Sequence, residues 1–462
     1  MYAPGYTMQA CNAANDCLRN QMKTTNSKMS PNIRFLGPFL ALVIITLSFP
    51  ARGQTLQEEL RLLVAEHPRL NAEDNNVKAA KEGVRSAFAN FLPKAGVTGN
   101  VGPERVDKPE RRKIGLEPTE LTRQNLTFSL TQDLFTGFRN EETYKASKVQ
   151  KEIAELNRDA TRQVLLLEGI TAYYSVLRQS GLIDLAVQNE KTIKEQLSLE
   201  DERVKRGAGI AVDVLFAKTR LQLAKERRVQ LEGTLSTAIA RYKQAFSHAP
   251  NIGAMKVPDL KLGLLSKTFN QALETAYRDN PALKASNRAI DVAQHRKKSA
   301  AADYYPQLNL VARFNYEDDV DGVDGVKRDW AFLAELSWDL FSGFATDANV
   351  AARSAERAAL IDTYHFNRRK VEEELKIAWE QLLTARQRVG LLENAVIISE
   401  EVFSARRRLR DAGKETAINV LDAESEVFAA RLNHLAALFD SDIAVYRILF
   451  AMGRLTPDNL GL

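Results

Sequence analysis

The chain has 462 residues, of which 45% are hydrophobic and 27% charged, with a formal net charge of +5. This is the composition of an ordinary soluble protein, so composition alone says little about function. Residues 1–53 hold five Lys or Arg and one Asp, and without them 59 basic face 58 acidic residues. A near-neutral remainder gives no support to nucleic-acid binding. Both cysteines, Cys11 and Cys17, also lie in this segment, so the remaining chain has no thiol catalyst.

The N-terminal segment has the pattern of a secretory signal. An apolar run, Phe35–Phe49, precedes Ala51-Arg52-Gly53, which predicts a signal peptide cleaved before Gln54. The run is about fifteen residues, short for a membrane span of about twenty, although an uncleaved anchor is the alternative. Met22 or Met29 could be the true start. No cysteine follows the run, which argues against a lipid anchor.

Two blocks of the chain align on each other. Leu60–Pro93 matches Leu273–Pro306 without a gap at an offset of 213, and each block predicts an alanine-rich helix ended by proline. Further along the chain the offset becomes 206, so the first half carries seven extra residues. Length variation belongs in surface loops, which supports the alignment.

Each block is followed by two strand candidates. They are Lys94–Val101 with Leu126–Leu134, and Gln307–Tyr316 with Trp330–Leu340. In the last candidate the apolar residues alternate with mostly polar neighbours and comprise Trp330, Phe332, Ala334, Leu336, Trp338 and Leu340. Alternation with period two predicts one apolar and one polar face. The charged segments 102–124 and 317–329 are predicted as loops, and Asp321-Gly322 and Asp324-Gly325 are turn signals for which cation binding is a less favoured alternative.

Two similar pentapeptides, Leu134–Phe138 and Leu340–Phe344, each precede a long stretch without proline. The stretch 140–206 alone would extend on the order of 100 Å as a helix. Apolar residues step by four and three along the second stretch, at Val371, Leu375, Ala378, Leu382, Ala385 and Val389, and again at Val420, Ala423, Val427 and Ala430. This spacing predicts a coiled-coil seam, and the charged flanks argue against a helical hairpin buried in a core.

The long helical stretches are interrupted at segments 206–213 and 411–419. Gly207 and Gly413 are suited to the left-handed residue that follows a helix end. Asp213 and Asn419 are then predicted as N-caps of the returning helices, and Asp422, three residues on, could face the same amides.

The predicted strands cannot form a closed structure in one chain. Four strands with an apolar face leave two exposed edges, whereas the smallest membrane barrels need about eight strands. Unpaired backbone groups in lipid are costly, so oligomerisation is required. Two chains would supply eight strands and three would supply twelve, and the residues alone leave this open.

Taken together, these features resemble the TolC family of outer-membrane efflux and secretion channels. The resemblance rests on the tandem halves, the proline-ended helices, the LF(T/S)GF pentapeptides and the Gly-x5-Asp/Asn-Val-Leu turns, and it covers essentially the whole mature chain. It implies a mainly α fold with a small β part. Two tandem repeats of helix, β-hairpin and long helical hairpin (54–250 and 271–453, with a linker at 251–270 and a tail at 454–462) would build a trimeric α-barrel tunnel continued by a 12-stranded outer-membrane β-barrel.

The resemblance also implies site residues. The turns at Gly207 and Gly413 would lie at the periplasmic tip, where the candidate aperture residues are Asp422, Asp213, Asn419 and Glu415. Asp422 occupies the position of a pore-facing aspartate of the family, whereas Asn419 is neutral where some members are acidic. For Asp422 and Asp213, a ring of carboxylates and a helix cap remain alternatives.

Two other positions bear on the same resemblance. Arg410 and Glu415 differ from the aromatic and basic residues that close the tip in some members, so no closing contact is predicted. The transition from barrel to tunnel is expected at the pentapeptides, at Phe135, Gly137, Phe138, Phe341, Gly343 and Phe344.

The function implied by the resemblance is that of a passive exit duct in a tripartite efflux or type I secretion system of a Gram-negative outer membrane. Its expected partners are outer-membrane lipid, a periplasmic adaptor and an inner-membrane ABC or proton-driven transporter. No catalytic residue, cofactor or metal is expected, because the five histidines are dispersed and no phosphate-binding loop occurs. The alternative is the periplasmic adaptor itself, although adaptors place one helical hairpin within β-rich modules. The cargo stays open, with a slight preference for secreted protein.

Overall fold

The structure, a computed structural model, describes residues 55–258 and 262–462. The predicted leader, residues 1–53, lies outside this range. The helices are α1 (Leu56–Glu66), α2 (Pro68–Ala89), α3 (Pro109–Lys113), α4 (Arg139–Lys205), α5 (Ala211–Phe246), α6 (Phe269–Asp279), α7 (Pro281–Ala300), α8 (Ala345–Asp411), α9 (Ala417–Ala451) and α10 (Pro457–Leu460). The strands are β1 (Lys94–Val106), β2 (Thr119–Thr136), β3 (Gln307–Asp318) and β4 (Val326–Ser337).

Each of the two aligned segments that precede a β-hairpin forms two helices, so the prediction of a single helix is wrong. Pro68 begins α2 and Pro281 begins α7, each at the first helical position. The preceding residues, His67 and Asn280, adopt extended backbone with ψ of 126° and 117°. Proline disfavours the helical conformation in the residue before it and lacks the amide that a continuous helix would need there.

The four strands form one antiparallel sheet in the order β1-β2-β3-β4. Its register places Val97 opposite Phe128, Phe128 opposite Phe314, and Phe314 opposite Trp330, so one apolar row crosses all four strands. The predicted alternation is confirmed, because Phe332 and Leu336 of β4 are exposed on the same side. The apolar face has no covering element within the described residues.

The strand ends differ from the prediction because each strand ends where its partner ends. β1 and β2 pair as far as Val106 opposite Thr119, which leaves only the short helix α3 and its flanks as a loop. β4 begins at Val326 and ends at Ser337, opposite the first residue of β3. The predicted continuation to Leu340 is therefore wrong, since no partner strand remains.

The long helices pack as two hairpins, α4 with α5 and α8 with α9, and α4 also contacts α7 and α9. The predicted seam is confirmed on α8, where Val371, Leu375 and Leu382 are buried. The main core lies where α1, α4 and α9 meet and includes the fully buried Tyr173 and Leu449. Among the described helices, none combines the length and apolar character that a membrane crossing needs.

Candidate functional site

The turns that join the long helices have the predicted left-handed glycines. Gly207 has a φ of +75° and Gly413 a φ of +74°. After each glycine the next amide returns to the preceding helix: Ala208 N donates to the Arg203 carbonyl and Lys414 N to the Leu409 carbonyl, both at 2.9 Å. This six-residue closure satisfies carbonyls at the helix end and brings the chain back within a few residues.

The predicted N-caps are wrong. The caps are Ile210 for α5 and Thr416 for α9, three residues before Asp213 and Asn419. Thr416 Oγ1 accepts a hydrogen bond from Asn419 N at 3.3 Å, which is the bond that a third helical residue gives to its cap. The glycine turns are short enough that the helices start earlier than predicted. Asp422 lies beyond the first turn of α9 and does not cap it.

Arg410, near the end of α8, joins three other segments of the tip. Its guanidinium forms an ion pair with Glu200 of α4, lies 3.5 Å from Asp213 Oδ2 of α5, and donates to the Glu415 carbonyl at 3.0 Å. Glu200 is only 2% exposed, and its charge is balanced by Arg410 together with Arg203, whose Nη1 lies 3.6 Å from Glu200 Oε1 on the same helix. Glu200 was not predicted as a site residue, because 210 positions separate it from Arg410 and no local pattern marks it.

Near the glycine turns, two further ion pairs of the described residues cross from the first hairpin to the second. Arg220 Nη2 of α5 lies 2.5 Å from Asp422 Oδ1 of α9. Arg203 Nη2 of α4 lies 3.6 Å from Asp411 Oδ1 of α8. Because each pair joins α4 or α5 to α8 or α9, all of them must break if the two hairpins separate at the tip.

Glu415 and Asn419 interact with each other at the start of α9. Asn419 Nδ2 donates to Glu415 Oε1 at 2.5 Å, and this hydrogen bond, with one from the Thr416 amide, lowers the pKa of Glu415. Glu415 therefore stays ionised at neutral pH. Of the four predicted aperture residues, Asp213 and Asp422 face arginines, whereas Glu415 has a neutral partner.

A buried carboxyl lies half a turn beyond Asp422. Glu424 of α9 is 7% exposed, and burial raises its pKa to about 7. It shares the buried face of α9 with Val420 and Val427. In the described part of the chain, no group of three His, Cys, Asp or Glu side chains is arranged to hold a metal ion.

The two pentapeptides form the same backbone turn between sheet and helix. Gly137 and Phe138 have φ of +61° and +71°, and Gly343 and Phe344 have +62° and +65°. Each phenylalanine is the N-cap residue of its long helix. A left-handed phenylalanine is strained by about 1 kcal/mol or more, which the sequence pattern did not predict. Its ring packs edge-on against the first phenylalanine of the same pentapeptide, at 5.2 Å in one and 5.4 Å in the other.

The surroundings of the two turns differ. Phe138 packs on Tyr305, with ring centroids 5.7 Å apart, and a Cβ on Gly137 would lie 2.4 Å from the Ala302 carbonyl oxygen. Around Gly343 no atom lies within 4 Å of such a Cβ, and Phe341 is 75% exposed. The first turn is therefore packed against the residues that follow α7, whereas the second turn is exposed on the surface of the protomer.

Comparison with known proteins agrees with this architecture. The model of the family described as "Outer membrane efflux protein" matches residues 60–246 and 272–454. The chain is 22% identical to the outer membrane protein TolC of Vibrio cholerae, over 92% of this chain and 97% of the relative. It is 24% identical to the alkaline protease secretion protein AprF of Pseudomonas aeruginosa, over 88% and 86%.

A solved structure has the same fold. The Campylobacter jejuni CmeC outer membrane channel superposes with a TM-score of 0.76 at 15% identity, covering 86% of this chain and 85% of that one. The family match spans most of the chain, and its two matched segments contain the two long helical hairpins. The chain thus belongs to the outer membrane efflux protein family, the TolC-like channels of the Gram-negative outer membrane.

Proposed function

We propose that this protein is the passive outer-membrane exit duct of a tripartite efflux or type I secretion system. Three copies would form one tunnel, and an inner-membrane ABC or proton-driven transporter would supply the energy through a periplasmic adaptor. The observation that carries the proposal is the four-stranded sheet, which leads directly into helices of 67 residues. Among residues 55–258 and 262–462, nothing covers its apolar face or pairs with its two edges.

The sheet suits a lipid boundary on one side and water on the other. The apolar row across the sheet comprises Val97, Phe128, Phe314 and Trp330. The neighbouring row, one residue away on each strand, is polar and comprises Thr98, Thr127, Asn315 and Asp329. Apolar residues facing out and polar residues facing in are the pattern of a transmembrane barrel. Lipid would then cover the apolar row, and water in the lumen would solvate the polar row.

The edges of the sheet support closure by further copies. In the part of the chain that the structure describes, β1 and β4 each have one side without a partner strand, which in a bilayer would cost several kcal/mol for each unsatisfied group. Pairing β4 of one copy with β1 of the next satisfies both edges. Three copies give twelve strands, within the range of known barrels.

The open turn at Gly343 indicates how neighbouring copies would pack. Ala302, which covers Gly137, corresponds to Ala89 at the offset of 213 between the two halves. The surface expected to cover Gly343 is therefore the end of α2. That end displays the exposed Phe88 and Phe91, and Phe341 is more exposed still, beside the β4 edge of the sheet. We expect the pentapeptide of one copy to pack against the end of α2 in the next.

The order of helices and strands supports the proposed division into two structural repeats. Residues 54–250 and 271–453 each contain a helix pair, a β-hairpin and a long helical hairpin, with 251–270 as the linker and 454–462 as the tail, except that α6 begins at Phe269, two residues before the proposed boundary. The hairpin turns would form the periplasmic aperture. The ion pairs made by Arg410 and Arg220 would hold it closed until the adaptor and transporter engage.

The proposed function restricts the kind of cargo only in general terms. A passive tunnel accepts what the inner-membrane transporter delivers, whether a small toxic molecule or a secreted protein. The family is one of channels rather than of enzymes. The name of AprF refers to protease secretion, which is in line with the slight preference for protein cargo.

The proposal is tested by isolating the mature protein from outer membranes, cross-linking it in detergent and reconstituting it in a planar lipid bilayer. We expect a trimer by mass and discrete ion-conducting events. Recovery as a soluble monomer, or a trimer that conducts nothing under any voltage or tip substitution, would refute the exit-duct assignment.

A further inference from the structure

We propose that a cationic cavity just beyond the sheet-to-helix turns binds a phosphate group, either as free phosphate or in a phospholipid headgroup. The cavity has a volume of about 430 Å³ and is lined by residues of α4, α7 and α8. It lies at the opposite end of α4 from the glycine turn at Gly207. The site itself does not depend on conduction through the protein, and only the lipid source of its ligand rests on the proposed function.

The lining of the cavity is rich in positive charge. Arg139 of α4, Arg296 of α7 and Arg353 of α8 contribute to it, and Glu142 is the one carboxylate among the described residues that line it. Each of the three helices therefore supplies one guanidinium group to the same space. A planar guanidinium matches two phosphate oxygens with two parallel hydrogen bonds, and such charge-assisted bonds are about twice as strong as neutral ones.

The carboxylate of Glu142 is already bound by two other side chains. Its Oε1 atom lies 3.2 Å from Lys145 Nζ, and its Oε2 atom lies 2.7 Å from His295 Nδ1. Burial opposes the ionisation of Glu142, but the hydrogen bonds from His295 and Lys145 outweigh it and lower the pKa of this carboxyl. The charge of Glu142 is thus balanced by its own partners and does not neutralise the arginines.

The three arginines are available to a ligand. Among the described residues, the side chain of Arg296 forms no hydrogen bond or ion pair. Arg353 pairs with Glu356 at 3.0 Å on the same helix, and Arg139 pairs with Asp303. The side chains of these two pairs are between 38% and 54% exposed, so water screens both pairs and they are weak. A phosphate can therefore bind the guanidinium groups without leaving a buried charge unpaired.

Neutral donors complete the lining of the cavity. The hydroxyl oxygens of Thr143 and Ser299 lie 3.4 Å apart, on α4 and α7. Gln150 and Asn349 also line the cavity, and within residues 55–258 and 262–462 neither of their side chains forms a hydrogen bond. Guanidinium, hydroxyl and amide donors from several directions suit the tetrahedral oxygens of a phosphate better than the two coplanar oxygens of a carboxylate.

The position of the cavity gives its ligand two sources. Arg139 begins α4 directly after the left-handed Phe138, and Asn349 lies within the first two turns of α8. In the proposed outer-membrane duct, this is the level at which the strands leave the bilayer, so phospholipid headgroups of the periplasmic leaflet lie close to it. Inorganic phosphate in the periplasm is the other source of the same chemical group.

The test uses the full mature protein, purified in dodecyl maltoside and phosphate-free buffer. One arm titrates inorganic phosphate by isothermal calorimetry. The other arm reconstitutes the protein in phosphatidylglycerol vesicles, extracts it again and counts the lipid molecules retained per chain by mass spectrometry. The variants are Arg296→Gln and its combination with Arg353→Gln. The matched control is Lys298→Gln, which removes an exposed charge from the same helix outside the cavity.

We expect Arg296→Gln to weaken binding of the probe on the order of tenfold, because a hydrogen bond to a charged group is lost, and the double variant to weaken it further. Lys298→Gln should bind as the wild type does. A loss in the calorimetric arm supports the site with free phosphate as its ligand, and a loss in the lipid arm supports it with a headgroup as its ligand.

Wild-type protein that binds neither inorganic phosphate nor phosphatidylglycerol would overturn the proposal, as would equal losses for Arg296→Gln and Lys298→Gln. Far-UV circular dichroism and the mass of the assembled protein separate these outcomes from misfolding. Conductance in planar bilayers tests the exit duct separately. Phosphate binding by a protein that does not conduct would refute the duct alone, and a conducting protein without phosphate binding would refute the site alone.

Discussion

Replacing Arg410 by alanine should open the tip. Arg410 is the nearer of two cations that balance Glu200, whose side chain is 3% exposed, and it also contacts Asp213. Removing it leaves the buried Glu200 with Arg203 alone, 3.6 Å away on the same helix, while separation of the hairpins would expose that carboxylate to water. The closed arrangement is therefore the one that loses stability.

The size of the effect follows from the burial. Leaving a buried charge without its partner costs about 3 to 5 kcal/mol, Arg203 offsets part of this cost for Glu200, and about 1.4 kcal/mol changes an equilibrium tenfold. Half of the lower value, about 1.5 kcal/mol, already shifts the ratio of open to closed tips about tenfold for each protomer. A closed state that is favoured by a few kcal/mol would no longer dominate.

Single-channel conductance in planar bilayers measures this shift. We expect long-lived openings of higher conductance for Arg410→Ala than for the wild type. The matched control is Arg408→Ala, since Arg408 lies on the same helix, is exposed and contacts only Ser404 Oγ, at 3.2 Å, among the hydrogen bonds and ion pairs of the described residues. Equal conductance for Arg410→Ala and Arg408→Ala would refute the role of Arg410 in closure.

Three other changes test separate parts of the structure. Burial raises the pKa of Glu424 from 4.5 to about 7, so the free energy of unfolding of the wild-type protein falls as pH rises between these values. Glu424→Gln should therefore stabilise the protein by up to about 3 kcal/mol at pH 8 and by little at pH 5. A difference in thermal unfolding that does not depend on pH would contradict this. Valine at Gly137 or Gly343 must adopt a left-handed backbone, which strains the protomer in both variants, but only Gly137→Val also meets the Ala302 carbonyl at 2.4 Å. Gly137→Val should therefore destabilise the protomer more by circular dichroism, and Gly343→Val should have its larger effect on trimer assembly by gel mobility; equal effects on both readouts would argue against the packing proposed between copies. Phe332→Arg should cost about 2 to 4 kcal/mol per copy on the lipid face and reduce the assembled protein in outer membranes, while Ala331→Arg on the opposite face should not; similar losses would place both residues away from lipid.

Features that depend on neighbours in sequence were predictable. The left-handed backbone at Gly207 needs only a helix end and a residue without Cβ. The buried seam at Leu375 and the apolar side of β4 at Phe332 follow from periods of about 3.5 and 2, which a reader of the sequence can count. These parts of the fold are local, so they appear in the sequence directly.

Features that depend on distant residues were not predictable. The pairing of Glu200 with Arg410 joins positions 210 apart and follows from how two hairpins pack. Asp213 looked like a helix cap, but the extended residue at Ile210 set the start of the helix and turned the aspartate toward Arg410. The end of β4 was set by the first residue of β3, which is tertiary information.

The equal lengths of α4 and α8, 67 residues each, restrict how this chain can gain or lose residues. One residue inserted into α4 alone would move its end by about 1.5 Å and rotate it by about 100°, which would carry Glu200 away from Arg410. Seven residues added at one height to both helices, and to the helices that return beside them, would preserve every contact at the turns. Such an insertion would lengthen the periplasmic part by about 10 Å. Viable insertions and deletions should therefore occur as coordinated sets in the two hairpins, and a single unmatched one should be as damaging as the loss of the ion pairs themselves.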